Sequence, residues 1–270
     1  MPDATQFAAD LIKRAGHGRG KGAVMARAFY LLFGLVAYLI FFATFLYLIA
    51  FVGNCPQIPF AVDRGEEGAL PVAIAMDLAL IALFGVQHSV MARAPFKAAW
   101  TRIVPAPVER SMYVLLASLC LIALFVFWRP VPSVVWSVQN QILAYVLWGL
   151  FGLGWLIVLI STFLINHFEL FGLRQVWSHV GGHEIPAPKF RTPFFYRFVR
   201  HPIYSGFVLA FWATPHMTAG HLLLALGMTI YILIAIGHEE RDLVGMFGKD
   251  YEAYRGRAGK LVPRFGGGSG

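Results

Sequence analysis

Long apolar runs separated by short polar connectors organise this chain. A helix of about 17 to 25 apolar residues crosses ~30 Å of hydrocarbon, and runs of that kind fall at about 28–52, 70–90, 111–129 and 142–165. A further apolar stretch at about 203–237 is interrupted by Thr214-Pro215 and by Gly220, where a turn would fold it into a helical hairpin. In hydrocarbon every backbone polar group must be satisfied within its own segment, which favours helices. The pattern therefore predicts an all-α, polytopic membrane helix bundle of about five to six transmembrane segments, the last being a C-terminal hairpin. The polar first 27 residues stand apart from a single membrane domain over 28–265. The closing Gly266-Gly267-Gly268-Ser269-Gly270 has the composition of a linker. The first apolar run is too long for the core of a cleaved signal peptide.

Composition supports the pattern: 58% of the 270 residues are hydrophobic and 13% are charged, where a soluble domain carries about 25% charged residues. The placement of cations then orients the bundle. Lys13, Arg14, Arg19, Lys21 and Arg27 precede the first span, whereas the next connector sets Arg64 against Asp63, Glu66 and Glu67. Basic residues return at 91–110, at 166–200 and after 238, and are absent after Arg129 up to about 140. Positive residues accumulate on the cytoplasmic side, so both termini are expected there, in a bacterial inner (cytoplasmic) membrane. The net charge of +8 follows from this bias and from attraction to anionic membrane lipids, and requires no nucleic-acid partner. Cys55 lies in the first outward connector and Cys120 within a span; at different depths they are expected to form neither a disulfide nor a zinc site.

The hairpin has a geometric consequence. If the chain enters the membrane at Pro202 and returns at His238, Arg200-His201 and Glu239-Glu240 lie at one membrane level. Charged groups near hydrocarbon are costly, roughly 2.5 to 3.5 kcal/mol at a helix centre, and they pair with one another or with a ligand. Pro202 suits the first turn of a helix, whose free N–H groups attract anions; Tyr204 and Gly206 follow within two turns, the latter permitting close backbone approach. The plainer reading makes Arg200 and Tyr204 interfacial anchors. Likewise Glu239 and Glu240 either pair with Arg241 or Arg257, or accept hydrogen bonds from a ribose diol and hold a cation, as an adenosine-bearing sulfonium would require.

Arg200-His201-Pro202-x-Tyr204-x-Gly206, followed by Glu239-Glu240-x-x-Leu243-x-x-x-Phe247-Gly248-x-x-Tyr251-x-x-Tyr254 and Val262-Pro263, resembles the C-terminal module of the membrane methyltransferase superfamily. That superfamily includes isoprenylcysteine carboxyl methyltransferase and the phospholipid methyltransferases. Gln87-His88-Ser89-Val90-Met91-Ala92-Arg93, Glu109-Arg110-Ser111-x-Tyr113 and Trp128-Arg129-Pro130 resemble its NnrU-type branch. The resemblance implies an S-adenosyl-L-methionine site in a cytoplasm-facing module at 194–265. It implies cofactor contacts from His201, Tyr204, Gly206, Glu239 and Glu240, with Arg200 nearby, so that loss of Glu240 or His201 would abolish cofactor binding in a folded protein. The activity it implies is methyl transfer to a small thiol, methanethiol first, to give dimethyl sulfide.

Such a transfer needs alignment above all, which can supply roughly 7 to 11 kcal/mol, and a place for the thiol proton. Candidate catalytic residues are His88, His167, Arg200 and Glu240, with Glu169 as a further base; Arg110 and Arg174 are further cations near the reacting charges. A helix-end histidine bonded to backbone is the plainer reading of each. His216 and His221 flank the outward turn, on the wrong side for a cytosolic cofactor. One or two of Trp128, Phe168, Trp177 and Trp212 are expected to line a small apolar pocket. A lipid or isoprenylcysteine methyltransferase, and a non-enzymatic membrane protein of the NnrU type, stay open beside the thiol reading.

Overall fold

A computed structural model describes the backbone of residues 4–186 and 189–264 and the side chains from residue 22 onward within them; the linker-like tail at 266–270 lies outside the described residues. The helices are α1 (Ala4–Val52), α2 (Leu70–Met91), α3 (Ala94–Trp100), α4 (Ala106–Phe127), α5 (Gln141–Ile165), α6 (His167–Leu170), α7 (Leu173–Gly181), α8 (Pro202–Trp212), α9 (Ala219–Phe247) and α10 (Lys249–Arg257). Two short strands, β1 (Val134–Ser137) and β2 (His216–Thr218), pair antiparallel. Gly22–Val52 of α1 and the whole of α2, α4, α5 and α9 are long and apolar enough to cross a membrane. The chain is thus a multi-pass membrane protein.

Local sequence explains where the elements begin. Helices α2, α3, α4 and α8 carry proline in their first two positions, where the missing N–H costs no intrahelical bond. Asn140 caps α5 by accepting from Ile142 N and Leu143 N, and Thr218 caps α9 by accepting from His221 N. The expected hairpin is present but unequal. At 11 residues α8 is roughly 16 Å long, half a bilayer, whereas the 29 residues of α9 reach about 43 Å. Consequently α9 does not stop at His238 and carries Glu239 and Glu240 within its last turns.

The strand pair was not foreseen by an all-α reading. It joins two connectors at the end of the bundle opposite the basic loops, where Val134 faces Thr218 and Ser137 faces His216. Extended connectors beside hydrocarbon still need partners for their N–H and C=O groups, and here they supply one another. Below them Trp128 is fully buried and donates to Val62 O at 3.0 Å, while buried Asp77 accepts from Arg129 N at 2.9 Å. His221 is buried at this same end against Phe211 O, 3.0 Å away.

Helix packing sets the space left at the other end. Helix α1 packs on α4 and α7, α2 on α4 and α9, and α8 on both α5 and α9. The α5–α8 contact is the closest: a Cβ at Gly206 would lie 2.6 Å from Gly154 O, and one at Gly154 would lie 2.7 Å from Gly206 O. Gly206→Val is therefore expected to destabilise the protein by about 1 to 3 kcal/mol through overpacking, read as a lower midpoint of thermal unfolding in detergent; an unchanged midpoint would show that the two helices can move apart freely.

Candidate active site

The segment entering α8 is held by the chain that follows α10. Arg200 N donates to Gly259 O at 2.8 Å, and Gly259 N to Phe198 O at 2.9 Å. From this anchorage the Arg200 guanidinium reaches in two directions. Its Nε donates to Glu240 Oε1 at 2.8 Å, and its Nη1 donates to Ala258 O at 2.6 Å and Arg255 O at 3.1 Å, at the end of α10. His201 Nε2 lies 3.1 Å from the same Glu240 oxygen, and Arg255 Nε lies 3.6 Å from the other. Tyr254 ties α10 down further, donating to Tyr196 O at 2.5 Å; burial pushes its phenol up to about 12, so it remains a donor. The distant pairs Arg200-His201 and Glu239-Glu240 do meet, as the hairpin argument requires.

The two carboxylates nevertheless differ. The Glu240 side chain is 8% exposed, is shared by three cationic or hydrogen-bonding side chains, and is absent from the cavity wall. Glu239 is on that wall. Its carboxylate is 42% exposed, approaches His201 Nδ1 only to 3.9 Å, and interacts with the Tyr204 hydroxyl.

The cavity has a volume of about 310 Å³ and is lined by residues of α1, α2, α4, α5, α6, α8 and α9. Its polar end is lined by His88, Arg110, Tyr113, Arg200, His201, Tyr204, Tyr231 and Glu239. Apolar side chains, among them Phe41, Phe45, Leu121, Val158, Phe171 and Phe207, form the remainder. His88 stacks on Phe84 with ring centroids 5.2 Å apart and meets the Tyr113 ring at 5.0 Å. Its Nδ1 is buried with no hydrogen-bond partner. Arg110 bridges to the α6 turn by donating to Leu170 O at 2.7 Å, its guanidinium 4.8 Å from the centre of the Tyr113 ring. Gly172 makes that turn possible: it has φ +91°, and a Cβ there would lie 2.8 Å from Ser111 N.

The remaining candidates separate on this geometry. His167 also lines the cavity, but both ring nitrogens are engaged, Nε2 with Tyr38 Oη at 2.8 Å and Nδ1 with Thr162 Oγ1 at 2.9 Å. Burial pulls its pKa below the ordinary histidine value, so it is neutral and has no free lone pair for a substrate. Glu169 and Arg174 pair with each other at 2.5 Å, away from the cavity. Gly206 is likewise turned from the cavity, into the α5–α8 contact. None of Trp128, Phe168, Trp177 and Trp212 is on the wall: Trp128 fills the core, Phe168 and Trp177 face outward, and Trp212 donates to Thr229 Oγ1 at 3.0 Å. The aromatic wall is built from phenylalanines and tyrosines instead. Tyr231, which sequence reasoning passed over, carried one usable signal. It is a hydroxyl in the middle of an apolar run, and buried hydroxyls usually have a partner.

Fold and cavity define a multi-pass helical membrane protein whose internal chamber is apolar over most of its wall and polar at the basic end. Known proteins specify it further. The chain is 53% identical over 232 residues to methanethiol S-methyltransferase 1 of Bradyrhizobium diazoefficiens, covering 86% of this chain and 81% of that one. It is 49% identical over 239 residues to methanethiol S-methyltransferase of Mycobacterium tuberculosis, 88% of this chain and 98% of the relative. Nurim of Sus scrofa is more distant, 31% identical over 189 residues, 66% of this chain and 71% of the relative. No family model matches the chain, and no solved structure is significantly similar to it. The chain belongs to the methanethiol S-methyltransferase family.

Proposed function

We propose that the protein transfers a methyl group from S-adenosyl-L-methionine to methanethiol, forming dimethyl sulfide, in the bacterial cytoplasmic membrane. The observation that carries this reading is identity of about half the residues, along nearly nine-tenths of the chain, with relatives bearing that activity in their names. The cavity supports it. Its volume of about 310 Å³ is at the lower end of the range of ligand pockets, about 300 to 1,000 Å³, and its wall joins a polar end to an apolar remainder, as a charged donor and a small apolar acceptor require. Glu239 has carboxylate surface free for ribose hydroxyls or a sulfonium, and the His88 ring, one of whose nitrogens has no hydrogen-bond partner, is on the cavity wall.

When bound, the cofactor supplies an electrophilic methyl group on a positively charged sulfur. On this reading Glu239, His201 and Tyr204 hold it at the polar end, with Arg110 and Arg200 available to its carboxylate. His88 takes the thiol proton on its imidazole ring. A simple alkyl thiol is no more acidic than a cysteine, near ~8.5, so a base raises the thiolate fraction at neutral pH. The phenylalanines keep water from the sulfur, and a water-poor cavity leaves the opposite charges unscreened until they are consumed. Glu240 acts by fixing His201 and Arg200, outside the cavity. The basic loops that frame the polar end face the cytoplasm by the positive-inside rule, and with them both termini.

Purified protein supplied with methanethiol and S-adenosyl-L-methionine is expected to release cofactor-dependent dimethyl sulfide into the headspace. Cofactor binding without dimethyl sulfide would move the substrate to a lipid or prenyl acceptor, and absence of cofactor binding would end the methyltransferase reading. Glu239→Gln is expected to weaken cofactor binding by roughly one to two orders of magnitude, the value of one or two charge-assisted hydrogen bonds, with thermal stability unchanged. Isothermal titration of the variant checks it, and wild-type affinity would remove Glu239 from the cofactor site.

A further inference from the structure

Over its apolar part the cavity wall reaches the surface of the bundle along a seam. Away from the polar end, where the Glu239 side chain is exposed, the cavity-lining residues with substantial surface are Phe42, Leu159 and Ile165, which are 39%, 37% and 53% exposed. All three lie on α1 or α5. These two helices have little close backbone approach among the described residues, although each packs tightly on another partner. Side chains span the gap instead. Phe45 meets the Trp155 ring edge-on at 5.6 Å near the middle of the bundle, and toward the basic end Tyr38 of α1 joins Thr162 of α5 through His167.

The hydrogen bonds of that bridge have a fixed direction. The single hydroxyl proton of Thr162 goes to Leu159 O at 2.7 Å, so its 2.9 Å contact with His167 Nδ1 is a donation from the ring. A neutral ring protonated at Nδ1 has its lone pair on Nε2, which therefore accepts the Tyr38 hydroxyl. The bridge is a saturated chain, Tyr38 to His167 to Thr162 to Leu159. It closes the seam without offering a group to substrate.

We infer that the seam between α1 and α5 is a side door from the bilayer into the cavity, latched by Tyr38, His167 and Thr162, and that the thiol enters through it. This rests on the thiol methyltransferase reading. The two reactants need different doors. A neutral alkyl thiol has a weak S–H donor and little else that water must be stripped from, so hydrocarbon dissolves it. A charged, zwitterionic donor is excluded from hydrocarbon and must use the polar end, where the Glu239 carboxylate is exposed. Separate routes let either reactant arrive while the other is bound.

The test places a reporter inside the chamber. Ala117, buried on the wall from α4, is replaced by cysteine in a Cys55→Ser, Cys120→Ala background in lipid nanodiscs. Its labelling by membrane-soluble N-ethylmaleimide is compared with labelling by a charged methanethiosulfonate. N-ethylmaleimide is expected to react faster. Tyr38→Phe should accelerate that reaction severalfold by releasing the latch, and Leu159→Trp or Ile165→Trp, at exposed sites where folding tolerates change, should slow it by roughly an order of magnitude, as a narrowed gate would. In turnover, Leu159→Trp should raise KM for methanethiol and leave cofactor affinity as it was. Labelling indifferent to all three substitutions, or faster with the charged reagent, overturns the side door. Slowed labelling with an unchanged KM for methanethiol overturns the thiol's use of it. Labelling as expected in a protein that makes no dimethyl sulfide upholds the door and removes the methanethiol reading alone.

Discussion

Arg200→Ala is expected to unfold the basic end of the protein before it does anything to chemistry. Arg200 and Glu240 are both about nine-tenths buried and 2.8 Å apart. Removing one partner of a buried ion pair typically costs about 3 to 5 kcal/mol, because the other charge is left without compensation. The same substitution also strips the carbonyls of Arg255 and Ala258 of their donor, freeing the end of α10 from the start of α8. Lysine should not rescue it, since one ammonium cannot reproduce a guanidinium that reaches the carboxylate from Nε and two carbonyls from Nη1. Glu240→Ala should behave alike, leaving Arg200 and His201 without their shared acceptor. The buried pairing thus sets a second expectation for Glu240 beside loss of cofactor binding, a loss of stability. Thermal unfolding followed by intrinsic fluorescence in detergent decides the matter. A wild-type midpoint in Arg200→Ala together with lost cofactor affinity would leave Arg200 its part at the cofactor carboxylate and remove the clamp.

Replacement of His88 by glutamine is expected to produce the complementary result, a stable protein that binds the cofactor and turns over slowly. General-base catalysis by a positioned histidine contributes roughly 10²- to 10⁴-fold, and kcat should fall within that range. The pH profile separates a base from a packing residue. With His88 gone, the rate should climb with pH as solution supplies the thiolate, through and beyond a thiol pKa near ~8.5, narrowing the gap to wild type at alkaline pH. A loss that is equal at every pH would mean that the ring only shapes the chamber against Phe84 and Tyr113, whose rings it touches.

Much of this was written in local chemistry. The long apolar runs and their basic connectors announced a multi-pass bundle, because hydrocarbon thickness sets a helix length that any single segment must meet alone. Thr214-Pro215 and Gly220 marked the hairpin, and hence the meeting of Arg200-His201 with Glu239-Glu240. The motifs around them resembled the membrane methyltransferases, and identity with the methanethiol enzymes bears that out. What remained hidden was the division of labour inside each motif. Glu239 and Glu240 are adjacent in sequence, but successive helical residues point about a third of a turn apart, so one faces the chamber and the other faces the clamp. Gly206 sits in the same motif as Tyr204, yet it faces α5.

The sequence by itself determined the class of solvent, the number of long spans, the level at which charges gather and the family, since each depends on composition, segment length or a short run of neighbours. Only the tertiary structure decided which aromatics line the chamber, that His167 is saturated while His88 has a nitrogen to spare, and that α1 and α5 meet through side chains instead of close backbone packing. These depend on the rotation of one helix against another. Lipid-facing and chamber-facing positions of a membrane helix are equally apolar, so the pattern that reveals a span gives no sign of which face looks inward.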